Sequence, residues 1–112
     1  MIENNPRAEM CVWTYWVRPE CEDEFRSLIE ANWPTLRRLG LVNDDPHIVL
    51  RSSAEPPVYV EVFEWAPEGM GKAHEDPEVM AIWQAMSPLV EDRQDEKLIP
   101  GMTFPFFQRV TA

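Results

Sequence analysis

The chain is short of most residues from which recognisable catalytic centres are built. Its 112 residues include two cysteines, two histidines and four glycines. Cys11 and Cys21 lack metal-ligand spacing and fall on different expected elements, so two reduced thiols in a cytoplasmic protein are the simplest account. His47 and His74 alone do not make a zinc site, and no metal is expected. The glycines form no phosphate-cradling loop, and no nucleophile elbow is present. No apolar run is long enough to span a bilayer, and no signal-peptide pattern follows Met1, so no membrane association is expected. Basic residues are scarce as well: ten against twenty acidic ones leave a net charge of -10. That field repels a phosphate backbone or an anionic membrane surface, which argues against nucleic acid as a partner. Its simplest consequence is solubility.

What is present suffices for one core. Hydrophobic residues make up 45% of the chain and aromatic residues 11%, at a length typical of a single domain. Residues 1–8 are polar with a proline and are expected to form a flexible N-terminal tail. Residues 9–112 are then the domain.

The segment 9–17 reads as a strand. Cys11, Trp13, Tyr15 and Val17 fall on one face, and Met10, Val12 and Trp16 on the other. A strand apolar on both faces is covered on both sides. Phe25, Leu28, Ile29, Trp33, Leu36 and Leu39 then follow at helical spacing, with Glu22-Asp23-Glu24 at the start and Arg37-Arg38 before Gly40 at the end. Pro34 predicts a kink in this helix, or a break with Asn32 capping a second short helix. Asn43-Asp44-Asp45-Pro46 reads as a turn, and strands over 47–53 and 58–65 make a hairpin around Pro56-Pro57. A loop over 66–72 carries Gly69 and Gly71. Asp76 is an N-cap, Pro77 suits the first helical position, and Val79, Ile82, Trp83, Met86 and Val90 form an apolar face. Ser87-Pro88 should bend the end of that helix. Residues 91–97 read as a charged connector and 102–110 as the last strand, where Pro105 marks an edge or a bulge.

Strand, helix, strand, strand, helix, strand is the order of the ferredoxin-like βαββαβ arrangement, an α+β fold. It has a four-stranded antiparallel sheet with both helices on one face, and its first and third strands are central. The second sheet face is apolar too, which predicts a homodimer packed sheet to sheet about a two-fold axis.

Val60-Glu61-Val62-Phe63-Glu64-Trp65, the loop after it, the pair Ala73-His74 and the helix from Val79 together resemble antibiotic-biosynthesis-monooxygenase-like (ABM-like) domains of the dimeric α/β-barrel superfamily. The order of elements matches over roughly residues 9–111. The resemblance implies a dimeric α/β barrel. It also implies a range of roles, from cofactor-free quinone-forming oxygenases to haem-degrading ones. Haem-degrading members place their ligating histidine further along the second helix. Here that stretch is Trp83-Gln84-Ala85-Met86-Ser87, so neither haem nor any other cofactor is expected.

Two residues stand out for chemistry. His74 precedes a capped helix, and histidine is the side chain whose charge changes near neutral pH. It is a candidate general base, or it merely orders the loop. Glu61 lies mid-strand in a central strand, where a carboxylate must be paired, protonated or facing a wet cavity. Arg51 or Arg109 could pair with it. If Glu61 faces the helices it shares a pocket with His74; if it faces the other way it lies in the dimer interface. Trp13, Tyr15, Tyr59, Trp65, Trp83, Phe104 and Phe106 are candidate walls for a flat aromatic ligand, or plain core. The functional expectation is a homodimer that binds a small apolar or aromatic molecule and acts on it without a cofactor, as a monooxygenase or by proton transfer. The alternatives are a non-catalytic ligand-binding or stress-associated domain and a structural dimer.

Overall fold

The computed structural model describes residues 9–53 and 55–92, and the strand pairing of 106–107. The expected tail over residues 1–8 and the candidates Phe104 and Arg109 lie outside the described residues.

Strand β1 (Glu9–Val17) passes through a 3-10 turn, Pro19–Cys21, into helix α1 (Glu22–Arg38). Strands β2 (Val42–Arg51) and β3 (Val58–Trp65) form the hairpin. A short helix α2 (Gly69–Ala73) precedes α3 (Pro77–Met86), which ends in a 3-10 turn, Ser87–Leu89. Two-residue strands β4 (Val90–Glu91) and β5 (Phe106–Phe107) complete the sheet. Every pairing is antiparallel, in the order β2-β3-β1-β4, with β5 also on β1. This is the expected ferredoxin-like α+β topology, with β1 and β3 central.

Local chemistry explains most boundaries. The Asp76 carboxylate accepts from the backbone N–H of Glu78 and Val79 at 2.9 and 3.0 Å, so the cap read from sequence forms. At Ser87-Pro88, where a bend was expected, α3 ends at Met86 in a 3-10 turn, and Val90, read as part of the helix face, lies in the following strand. Pro34 does not break α1, which runs through it as one 17-residue helix. The carbonyl that loses its donor belongs to exposed Glu30 and can bond to water. Asn32 caps nothing and is buried instead.

Three further expectations are corrected. Residues 43–46 are not a separate turn: β2 starts at Val42 and absorbs them as a register shift between Val42 and His47. The loop over 66–72 contains α2, seated where Gly69 lets the backbone approach Leu41. The supposed connector begins as β4, with Glu91 opposite Trp16 and Val90 opposite Val17.

Register sorts the side chains. On β3, Tyr59, Glu61, Phe63 and Trp65 are buried beneath the helices while Val58, Val60, Val62 and Glu64 are half-buried on the other face. Trp13 pairs across with Glu61, Tyr15 with Tyr59 and Cys11 with Phe63, so these lie on the helix side of β1. The opposite face gathers Val12, Val60, Val62, Ile48 and Leu50; Ile48 is 47% exposed and Leu50 57%. It is an apolar sheet face in a single chain.

Beneath the helices the core is two clusters. One holds Cys11, Leu36, Leu41, Val42, Phe63, Trp65, Ala73 and Val79; the other holds Val17, Phe25, Ile29, Tyr59, Met86 and Leu89. Along α1 the buried stripe is Phe25, Ile29, Asn32 and Leu36, and along β3 it is Tyr59, Glu61, Phe63 and Trp65. Asn32 and Glu61 therefore stand at the seam between the clusters.

Candidate functional site

Among the described residues, Glu61 and Asn32 are the two buried polar residues of the core, at 0% and 2% exposure. Burying a carboxylate is expensive unless its oxygens find donors. Glu61 Oε1 finds two: Asn32 Nδ2 donates at 3.2 Å and the Tyr15 hydroxyl at 3.4 Å. Asn32 Oδ1 in turn accepts from Trp83 Nε1 at 2.9 Å, so α1, α3, β1 and β3 are tied together by one polar chain. Glu61 Oε2 has no hydrogen-bond partner among the described residues. The group nearest to pairing with it is His47, whose Nε2 lies 3.6 Å away.

His47 is itself held. Its ring stacks on Trp33 with centroids 4.4 Å apart and planes 7° from parallel. The Arg37 guanidinium lies 5.8 Å from the Trp33 ring centre and pairs with Asp44 at 2.9 Å. Tyr15 sits between aromatic neighbours, 6.3 Å from Trp13 and 5.1 Å from Phe25. Burial first, and then the Glu61 charge, push the Tyr15 hydroxyl well above the ordinary phenol range, which keeps it a donor. Burial and Glu61 also push the Cys11 thiol up to about 12, so it is inert as a nucleophile, as its place in a buried strand predicts.

The expected residues divide as follows. Glu61 faces the helices, one of the two orientations left open by the sequence. Arg51 does not pair with it: the guanidinium donates to both oxygens of Glu22, at 2.5 and 2.9 Å, and the Tyr59 hydroxyl joins them at 2.7 Å. The reason is position, because Arg51 is opposite Tyr59 at the far end of the hairpin, near the start of α1. His74 is exposed, and its ring meets Trp83 edge-on at 5.2 Å. Among the described contacts it connects to Glu61 through Trp83 and Asn32. Tyr59 and Trp65 are 2% and 4% exposed and pack as core, whereas Trp13 is 42% exposed beside Glu61 in register. Trp83 serves the polar chain as well as the packing.

Asn32, Trp33 and His47 were missed by the sequence reading. Asn32 had a signal, a lone amide inside the apolar stripe of α1. His47 had one too, since alternation along β2 puts it on the same face as Val49, the residue opposite Glu61.

An antiparallel sheet in the order β2-β3-β1-β4, covered on one face by helices, is a ferredoxin-like α+β fold. The sequence matches no protein-family model and no curated protein. Solved structures share the fold. A "putative antibiotic biosynthesis monooxygenase" of Caulobacter crescentus CB15 superposes with a TM-score of 0.58 and 21% identity, over 77% of this chain and 81% of that one. A protein of the same description from Nitrosomonas europaea gives 0.63 and 12%, over 82% and 88%. A NIPSNAP family protein of Agrobacterium tumefaciens C58 gives 0.55 and 18%, over 82% and 84%. Among the described residues no helix is long and apolar enough to cross a membrane.

Proposed function

We propose that the protein is a cytoplasmic homodimer that holds a small, mostly apolar aromatic molecule between sheet and helices. It acts on that molecule without a cofactor, by oxygenation or proton transfer; the description of two structural neighbours, each a "putative antibiotic biosynthesis monooxygenase", supports the oxygenation. The single observation behind this reading is the Glu61 carboxylate, fully buried at the seam of the core with Oε2 unpartnered among the described residues. Natural cores keep such a group where chemistry or recognition needs it. Tyr15 and Trp13 beside it, and Trp33 beyond His47, offer aromatic walls. Within this reading Glu61 is the centre, and His74 acts at the rim through the Trp83–Asn32 chain. The apolar outer sheet face, with Ile48 and Leu50 half-exposed, supports the dimer.

A non-catalytic binding domain is the second reading, favoured by one fact: Glu61 and His74 do not touch. The test has two parts. Sedimentation equilibrium at micromolar concentration should give twice the 13.1 kDa chain mass, and Leu50→Asp should give the monomer. Tryptophan fluorescence titrated with phenols, quinones and fatty acids should respond to the aromatic probes and not to the fatty acids. A stable monomer, or no response to any aromatic probe, removes the proposal; binding without turnover leaves the second reading.

A further inference from the structure

Glu61 and His47 face one another in a way the sequence did not suggest. Glu61 is 0% exposed, so its carboxylate does not meet a ligand directly. The His47 side chain is 26% exposed and presents Nε2 to Glu61 Oε2 at 3.6 Å. Its ring plane is set by Trp33, 4.4 Å away and 7° from parallel. Its second nitrogen, Nδ1, has a lone pair that diverges from Nε2 and has no partner among the described residues. An imidazole whose inner nitrogen faces a buried carboxylate, and whose outer nitrogen is free, is the arrangement that makes histidine a positioned base. A separation of 3.6 Å is loose for a hydrogen bond, and such contacts tighten when a ligand excludes water.

We infer that His47 is the catalytic base of the site and Glu61 its positioning residue, and that the ligand is a neutral hydroxyaromatic whose O–H is handed to His47 Nδ1. In the step, the ligand O–H bond breaks and its electron pair stays on oxygen. The Nδ1–H bond forms with the imidazole lone pair, and the resulting imidazolium keeps Nε2–H aimed at Glu61 Oε2. The ligand class follows from charge as well as geometry: a carboxylate ligand would meet a chain of net charge -10 and a buried carboxylate behind the base. This inference rests on the proposed small-molecule function, but the pair can be tested without any ligand.

Nitrogen-15 NMR of the imidazoles, recorded where both histidines are neutral, reads the tautomer. In the wild-type protein His47 should carry its proton on Nε2. Glu61→Gln keeps an acceptor for Asn32 and Tyr15 but turns an amide N–H toward His47, so the proton should move to Nδ1 while His74 is unchanged. A wild-type Nδ1–H tautomer, or no switch in a folded Glu61→Gln, overturns the pair. The probe for the ligand is 4-nitrophenol, with fluorescence reporting binding and absorbance reporting the bound phenolate. His47→Gln should retain binding and lose the bound phenolate about tenfold, the ratio equivalent to one pKa unit. Glu24→Gln, exposed in the first turn of α1 and outside the site, should change neither. Phenolate undiminished in His47→Gln overturns the base assignment and leaves the binding proposal standing. No binding by a wild-type protein whose His47 tautomer is as expected removes the binding proposal, and the pair is then only structural.

Discussion

Replacing Asn32 by leucine should be worse than replacing Asn32 and Glu61 together. Leucine matches asparagine in branching and heavy-atom number but cannot donate. Asn32→Leu removes the 3.2 Å bond to Glu61 Oε1, and a hydrogen bond to a carboxylate contributes about 2 kcal/mol. It also strands Trp83 Nε1, which donates to Asn32 at 2.9 Å, for about 1 kcal/mol more. The single variant should therefore lose about 3 kcal/mol. Glu61→Leu should lose a similar amount, because it leaves Asn32 Nδ2 and the Tyr15 hydroxyl without an acceptor. In the double variant both partners of the central bond are gone and only Trp83 Nε1 and the Tyr15 hydroxyl remain stranded, for a loss of about 2 kcal/mol. Urea unfolding followed by far-ultraviolet circular dichroism, at one protein concentration, measures all three. The singles sum to about 6 kcal/mol, so the expected coupling is about 4 kcal/mol. A double variant that loses the sum of the singles, within about 0.5 kcal/mol, would refute the seam as one network.

Two more outcomes follow from other parts of the fold. The Arg51 guanidinium, with the Tyr59 hydroxyl, holds the Glu22 carboxyl down at about 2 against an ordinary 4.5. A folded-state value below the unfolded one stabilises the fold above the unfolded value, and that stability is lost as pH falls from about 4.5 towards 2. Arg51→Gln should flatten this acid limb in urea midpoints measured over that range; an unchanged slope would exclude the pair as its cause. At Gly69 an added Cβ would stand 2.0 Å from the Leu41 carbonyl oxygen, whose position is fixed by a 2.9 Å bond from Ala66 N–H. Gly69→Ala should lose about 2 kcal/mol or more, while Gly71→Ala, whose Cβ meets nothing within 4 Å, should be close to neutral in thermal unfolding. Equal effects at the two glycines would sink the close-approach account.

Much of this was legible before any coordinates. The apolar stripes at 3.6 and 2.0 residue periods, the Asp76-Pro77 cap and the Ser87-Pro88 stop are local, so they could be read locally, and they already implied the βαββαβ order. Glu61 was singled out because alternation placed a carboxylate in a central strand. What failed were features set by distant partners. Pro34 is tolerated because α1 is clamped on both sides of it by the buried residues Ile29, Asn32 and Leu36, and tertiary packing overrides a local breaker. The bulge that absorbs residues 43–46 is settled by the register with β3.

The sequence by itself determined the order of the main strands and helices, the two alternating residue sets of each strand and the presence of an anomalous carboxylate mid-strand, because each follows from periodicity along a single segment; which set faces the helices was decided by packing. Only the tertiary structure decided what that carboxylate meets. Asn32, Tyr15 and His47 come from three different elements, and a one-residue change of register would turn any of the strand members to the other face. On the sequence alone Glu61 was given Arg51 or Arg109 as a pairing partner and His74 as a pocket-mate; Arg51 pairs with Glu22 instead and His74 lies exposed against Trp83, because the fold and not position along the chain sets what meets the carboxylate.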